Sequence, residues 1–371
     1  MDVQQPLALL GGLSPAHFMR RHWHKKPLLV RQAIAGFKPL LARAELLELA
    51  GREGVESRFI QDKGGQWVLR HGPLARRSLP SLATPRWTAL VQGVDLHHEG
   101  VHALMQQFRF VPEARLDDLM ISYATDGGGV GPHFDNYDVF LLQAHGQRRW
   151  RIGRQKDKTL RSGLPLKILA AFEPEEEHVL EPGDMLYLPP GWAHDGIAVG
   201  ECMTYSIGFR SPNGAQLAHE VLQRMAEGAA DEEGAIYRDA QQPAVAGPGA
   251  IPAELQDFAR QAVQRALAQP QALECALGEA LTEPKPNVWF EPAEAGGMLE
   301  CLTLDRRTRM MYDDKHVFIN GESYRASGRD ATLMRRLADE RRLEPRDLVR
   351  ASDEALELLS AWCEAGWAHA R

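Results

Sequence analysis

Between residues 116 and 209 the chain strings together five short apolar runs, 119–123, 137–143, 148–152, 185–188 and 203–209, punctuated by glycine and proline. Runs this short, closed off by turn residues, predict strands that pair antiparallel in a barrel or jelly roll. That constrains more than topology. In a barrel, alternate residues of each strand face the lumen, so one inward side chain fixes the parity of its neighbours.

Before this segment, Ser14-Pro15 marks the start of a short helix through Phe18, Met19 and Trp23 to Lys25-Lys26-Pro27. Residues 28–30 predict a strand, 44–50 a short amphipathic helix, 58–70 a hairpin turning at Gly64-Gly65, and 91–108 a helix. After Pro212 the character changes. Helices over 215–229 and 253–267 flank a Pro/Gly/Ala-rich connection at 239–252, and Pro284-Lys285-Pro286 leads to a strand over 310–318, a turn at Asn320-Gly321 and helices over 331–365. The expected organisation is a β-rich domain over 1–211, a helical region over 212–283 whose amphipathic helices pair two copies in a homodimer, and a winged-helix-like module over 284–371.

Charge limits the partners. With 43 basic against 50 acidic residues the net charge is −7, which excludes a nucleic-acid binder working by bulk charge and leaves a basic protein or peptide as the natural partner. Cys202, Cys275, Cys301 and Cys363 lie in no metal-binding or redox spacing, and no apolar segment opens the chain. No run approaches the roughly 18 apolar residues of a membrane span. A cytoplasmic protein with reduced thiols, away from the membrane, is expected.

Two His-x-acid triplets occur. His97-His98-Glu99 falls in an expected helix, where residues two apart point in different directions, so it reads as a surface feature. His133-Phe134-Asp135 instead follows Gly127-Gly-Gly-Val-Gly-Pro132 and enters a strand, where residues two apart share a face. A third ligand comes from Glu181-Pro-Gly-Asp-Met-Leu-Tyr-Leu-Pro-Pro-Gly-Trp-Ala-His194, in which Pro189-Pro190-Gly191 stops a short strand just ahead of the histidine. Two histidines and a carboxylate suit Fe(II) and leave positions open for a co-substrate and oxygen, whereas a four-ligand zinc site would want cysteines. His145 and His178 fall in expected loops and read as surface residues.

These motifs, with the opening segment 18–30, resemble the JmjC-type cupin 2-oxoglutarate oxygenases over about the first 210 residues. More narrowly, Asp117-Asp-Leu-Met-Ile-Ser122, the stretch from Gly127 to Phe140, and Tyr205-Ser-Ile-Gly-Phe-Arg210 are similar to the bacterial ribosomal oxygenases, a likeness that extends by order of elements to the C-terminal module. The resemblance implies a double-stranded β-helix followed by helices and a winged helix. It also implies Fe(II), 2-oxoglutarate and O2, and hydroxylation of an arginine of large-subunit ribosomal protein L-sixteen, with succinate and CO2 as the other products.

Strand parity distributes the remaining roles. It carries Tyr137 inward with His133 and Asp135, to border the metal. A turn at Ala144-His-Gly-Gln147 then places Arg148 on one face with Trp150 and Ile152, and Arg149 and Arg151 on the other. A guanidinium among apolar neighbours needs an anion, so Arg148 is expected to clamp the distal carboxylate of 2-oxoglutarate, the residue the resemblance also indicates. On the last strand the bulky Met203, Tyr205, Ile207 and Phe209 pack against a cover, leaving Thr204, Ser206 and Gly208 to the cavity beside Asp118, Met120 and Ser122. Thr204 or Ser206 donates a hydrogen bond to the co-substrate; related enzymes often carry Asn near 204, so Thr204 is a departure. The expected site is His133, Asp135 and His194 for metal and catalysis, Arg148, Ser122 and Thr204 for the co-substrate, and Asp118, Tyr137 and Ser206 for the substrate. The competing functions are a cupin metalloenzyme without 2-oxoglutarate and a non-catalytic ribosome-binding or assembly factor.

Overall fold

The longest strands bend where the sequence suggests a turn. In the computed structural model, which describes residues 2–230, 234–293 and 300–370, the chain divides into two units, Met1–Ser211 and Pro212–Arg371. The first runs α1 (Pro15–Arg21), β1 (Leu28–Val30), α2 (Arg43–Leu49), β2 (Ser57–Lys63), β3 (Gln66–His71), β4 (Trp87–Val91) and α3 (Glu99–Gln106). It continues through β5 (Leu116–Ala124), β6 (His133–Phe134), β7 (Val139–Arg154), β8 (Glu176–Leu180), β9 (Met185–Leu188) and β10 (Trp192–Phe209).

These ten strands form one antiparallel array in the order β1-β9-β7-β10-β5-β4-β2-β3, with β6 paired to β10 and β8 to β7. The two expected strands 137–143 and 148–152 are one strand, β7, which pairs with β9 over 139–142 and with β8 over 148–152. Its partner β10 pairs with β6 at one end and β5 at the other. The corner lies at Gly146, with φ +59°, where an added Cβ would lie 2.0 Å from the Glu201 carbonyl oxygen. Only glycine fits there. The opposing register shift falls between Val199 and Thr204. β7 and β10 therefore serve both layers of a double-stranded β-helix, and side chains of both halves line the space between them.

The bulky face of β10 packs outward against the N-terminal cover. Phe209 meets Trp23 edge-on at 5.1 Å, Phe140 meets Phe18 and Phe108, and the Tyr205 hydroxyl accepts from the Leu40 amide at 2.9 Å. The expected helix over 91–108 is broken in two, because His98 takes an extended conformation and caps α3 by accepting from the Val101 amide at 3.3 Å. Strand β4 is buried at all five residues, so it carries no alternation for a sequence reading to detect. His145 and His178 lie in β7 and β8 rather than in loops.

The second unit opens with α4 (Gly214–Ala230), α5 (Ala253–Leu267) and α6 (Ala272–Thr282). After β11 (Leu302–Leu304), the expected strand over 310–318 is a hairpin of β12 (Met310–Tyr312) and β13 (His316–Ile319), turned at Asp313, whose carboxylate accepts from the Lys315 and His316 amides. Asn320-Gly321 then turns into β14 (Glu322–Arg325). The chain ends with α7 (Gly328–Glu340), β15 (Arg342–Leu343), α8 (Pro345–Leu348), α9 (Asp353–Glu364) and β16 (Ala368–Ala370). β11 lies between β15 and β16, and Leu302, Leu337, Leu343, Leu359 and Trp362 share one buried core. Residues 231–233 and 294–299 lie outside the described residues.

Candidate active site

The approach to His133 is dictated by backbone crowding. An added Cβ at Gly129 would lie 2.6 Å from the Gly196 carbonyl oxygen, so the glycine-rich lead-in runs against β10 at a distance no other residue allows. It delivers His133 into register with His194 across β6 and β10. From the other direction, the Gly191 amide of the Pro-Pro-Gly turn donates to the Asp135 carbonyl at 2.7 Å. Three stretches distant in sequence are thereby fixed to one another by backbone contacts.

The result is a convergent donor set. One ligand atom from each of His133, Asp135 and His194 lies within 4.8 Å of the others, with the Asp135 carboxylate 3.9 Å from His133 Nε2 and 3.6 Å from His194 Nε2. His133 Nδ1 is 2.9 Å from the Gly131 carbonyl and His194 Nδ1 3.0 Å from the Trp192 carbonyl. A carbonyl can only accept, so both Nδ1 atoms carry the proton and both Nε2 lone pairs face inward. Burial, and then the neighbouring His133, pull the His194 pKa down to about 4. It stays neutral, as a metal ligand must. Two imidazoles and one carboxylate on one rim fit a ferrous ion by donor type.

The three ligands open into a cavity of about 540 Å³ that Arg148, Ser122, Met120, Asp118, Tyr137, Trp150 and Ser206 also line. Arg148 is 4% exposed. Its partners among the described residues are two hydroxyls, Ser122 Oγ at 3.0 Å and Thr204 Oγ1 at 3.3 Å, and its Nε, buried, has none. A guanidinium held out of water with no acid beside it among the described residues is a group that an anion in the cavity would satisfy.

Other expected residues sit differently from their reasoning. Tyr137 does line the cavity, but not by strand parity: β6 ends at Phe134, and Tyr137 lies in the bend that follows, 42% exposed at the mouth. Its phenol is held above its ordinary pKa by the part of the ring out of water and then by the Asp135 and Asp118 carboxylates. Thr204 is fully buried behind Arg148 and gives its hydroxyl proton to Gln143 Oε1 at 2.9 Å. It is not positioned to donate to a co-substrate. Asp118, also buried, accepts from the Gly93 amide at 3.0 Å, and Ser206 sits opposite Met120 on the cavity wall. The sequence reading missed Gln143 and Trp150. Gln143, fully buried, braces Thr204, and Trp150 packs beneath Arg148 at 5.4 Å and against the His194 ring at 5.8 Å. The alternation that singled out Arg148 points equally to Trp150.

A family described as JmjC domain matches residues 103–217, and one described as ROXA-like winged helix matches 264–369. The chain is 37% identical over 284 residues to a protein of Escherichia coli named ribosomal protein uL16 3-hydroxylase, covering 75% of this chain and 74% of that one. A probable ribosomal oxygenase of Haemophilus influenzae is 35% identical over 206 residues, covering 54% of this chain and 50% of that protein. Among solved structures, that of E. coli YcfD superposes with a TM-score of 0.82 at 31% identity, over 95% of this chain and 97% of that one. A structure described as YcfD, a ribosomal oxygenase, in complex with cobalt and 2-oxoglutarate superposes with a TM-score of 0.79 at 31% identity, over 96% and 98% of the two chains.

Proposed function

Because the chain belongs to the JmjC-domain ribosomal oxygenases, we propose that it is an Fe(II)- and 2-oxoglutarate-dependent hydroxylase acting on an arginine side chain of ribosomal protein uL16. The observation that carries this reading is Arg148, a buried guanidinium without an acidic partner among the described residues, on the wall of the cavity that His133, Asp135 and His194 open into. A metalloenzyme that did not take an acid co-substrate would have no use for it.

His133, Asp135 and His194 would hold the iron through the two inward Nε2 atoms and the carboxylate. The chemistry such a centre supplies is conversion of 2-oxoglutarate and O2 to succinate and CO2, coupled to insertion of one oxygen atom into a C–H bond. Arg148 binds the distal carboxylate by charge-assisted hydrogen bonds, and Ser122 and Thr204 aim it. Val139, Leu141 and Trp150 exclude water from the space between. The Asp118 carboxylate on the cavity wall and the Tyr137 ring at the mouth suit a guanidinium, one by pairing and the other by stacking on its plane, with Ser206 on the same wall.

We assign catalysis to residues 1–211, self-association to 212–283 and the winged-helix module to 284–371, in a cytoplasmic protein. Leu222 on α4 and Leu255, Val263 and Leu267 on α5 are exposed, an apolar set that a second copy would cover. Light scattering tests the pairing, and a mass near the 41.4 kDa of one chain would exclude it. For the activity, the test is mass spectrometry of uL16 after incubation with the protein, iron, O2 and 2-oxoglutarate. A gain of about 16 Da, one oxygen atom, on a single arginine is expected; a gain on another residue type overturns the arginine assignment.

A further inference from the structure

The inner wall of the cavity continues past Ser122 along one row of the sheet. Ser122 stands opposite Leu90 across β5 and β4, Leu90 opposite Arg58 across β4 and β2, and Arg58 opposite His71 across β2 and β3. Gln92 lies two residues beyond Leu90, and all five line the cavity. Gln92, one residue past the end of β4, is thus a diagonal neighbour of Arg58 on β2, close enough to share one small group.

Neither side chain is fully hydrogen-bonded among the described residues. Arg58 Nε and Gln92 Oε1 are buried without a hydrogen-bond partner, and among the described residues no ion pair reaches Arg58. The two Nη of Arg58 and Nε2 of Gln92 make no hydrogen bond among the described residues and are not buried orphans, so they keep some exposure on side chains that line the cavity. At that end the groups able to meet a ligand are therefore donors, since the unpaired acceptor Gln92 Oε1 is itself buried. A free anion would answer them poorly, since Asp117, Asp118 and Asp135 line the same space. A peptide carbonyl brings an acceptor oxygen without a charge, and a protein substrate must lay its main chain over the cavity to send one side chain to the triad.

We propose that Arg58 and Gln92 form a subsite for a main-chain carbonyl of the substrate beside the target residue. The subsite rests on the protein-hydroxylase reading above and makes recognition depend on the backbone next to the oxidised side chain. It also gives a use to the donors that stand beside Ile60, Leu69 and Leu90 in the same wall.

The test is a thioamide scan. Dye-labelled peptides covering each arginine of uL16 are titrated by fluorescence anisotropy onto the full chain loaded with Mn(II) and 2-oxoglutarate, without oxygen, and each backbone carbonyl oxygen near the bound arginine is replaced in turn by sulfur, a weaker acceptor. One replacement should weaken binding to the wild type about five- to tenfold and have no effect on Arg58→Met. Gln92→Leu supplies the same comparison should the first variant fail to fold. Losses of equal size in wild type and both variants overturn the subsite while leaving the hydroxylase reading intact. Failure of every unmodified peptide to bind the wild type overturns both.

Discussion

Gln143 accepts the hydroxyl proton of Thr204 at 2.9 Å. A threonine hydroxyl has one proton, so Thr204 meets Arg148 Nη1, 3.3 Å away, with a lone pair. Its role is to aim the guanidinium. Thr204→Val keeps the shape and removes that acceptor, and should raise the KM for 2-oxoglutarate about fivefold, the worth of one hydrogen bond, with kcat little changed. Thr204→Ser should restore the wild-type KM. An unchanged KM in the valine variant would count against the aiming role.

Removal of the guanidinium itself should have a larger effect. If Arg148 holds the distal carboxylate as proposed, Arg148→Ala deletes a charge-assisted pair worth about 1.5–3 kcal/mol, so the 2-oxoglutarate requirement, followed by succinate release, should rise roughly ten- to a hundredfold. Arg149, the next residue, is exposed on the opposite face of the strand. Arg149→Ala should leave the requirement unchanged.

Each of His133→Ala, Asp135→Ala and His194→Ala takes away one of the three side chains that converge as a metal site among the described residues. Turnover should vanish in all three while circular dichroism stays native, because the rim is shaped by backbone contacts among Gly129, Gly191 and β10 and not by the metal. Iron retained at wild-type affinity in any two of the variants would sink the triad.

The second unit carries a pH-dependent element of its own. Asp305 is buried, which by itself disfavours its charge, but hydrogen bonds from Arg307 and His369, at 2.7 Å and 2.9 Å, hold its pKa down to about 2. A carboxylate depressed in the folded state stabilises at any pH above its unfolded value near 4, and that contribution fades as pH falls toward 2. It is worth about 2 kcal/mol at neutral pH. Urea denaturation of Asp305→Asn should show that deficit at pH 7 and a narrowing gap to the wild type below pH 4. A gap that is constant with pH would refute the linkage.

The convergence of His133, Asp135 and His194 and the inward position of Arg148 were legible in the sequence because their signals are local: a glycine-rich approach, a Pro-Pro-Gly stop, and an arginine alternating with Trp150 and Ile152. Elements set by distant partners were not. Gly146 reads as a turn, and only the Glu201 carbonyl packed against it makes it a corner inside a strand. Tyr137 reaches the cavity through a bend that no parity argument describes, and β4 is buried on both faces, so its pattern is indistinguishable from that of a short buried helix. Arg58 and Gln92 carry no local mark at all. Their place on the cavity wall follows from the pairing of β2, β4 and β5.

The corner at Gly146 has an evolutionary consequence. Since β7 and β10 pass unbroken from one layer to the other, Arg148 and His194 are set in phase by residue count along two paired strands. One residue inserted between Gly146 and Arg148 would turn Arg148 outward and put Gln147 in its place on the inner wall, because side chains alternate at every step. The loop between β7 and β8 bears no such constraint, although Pro165, Leu166 and Lys167 reach the cavity from it. Lineages that acquire new substrates should therefore show insertions and deletions in that loop and conserved spacing in the two strands.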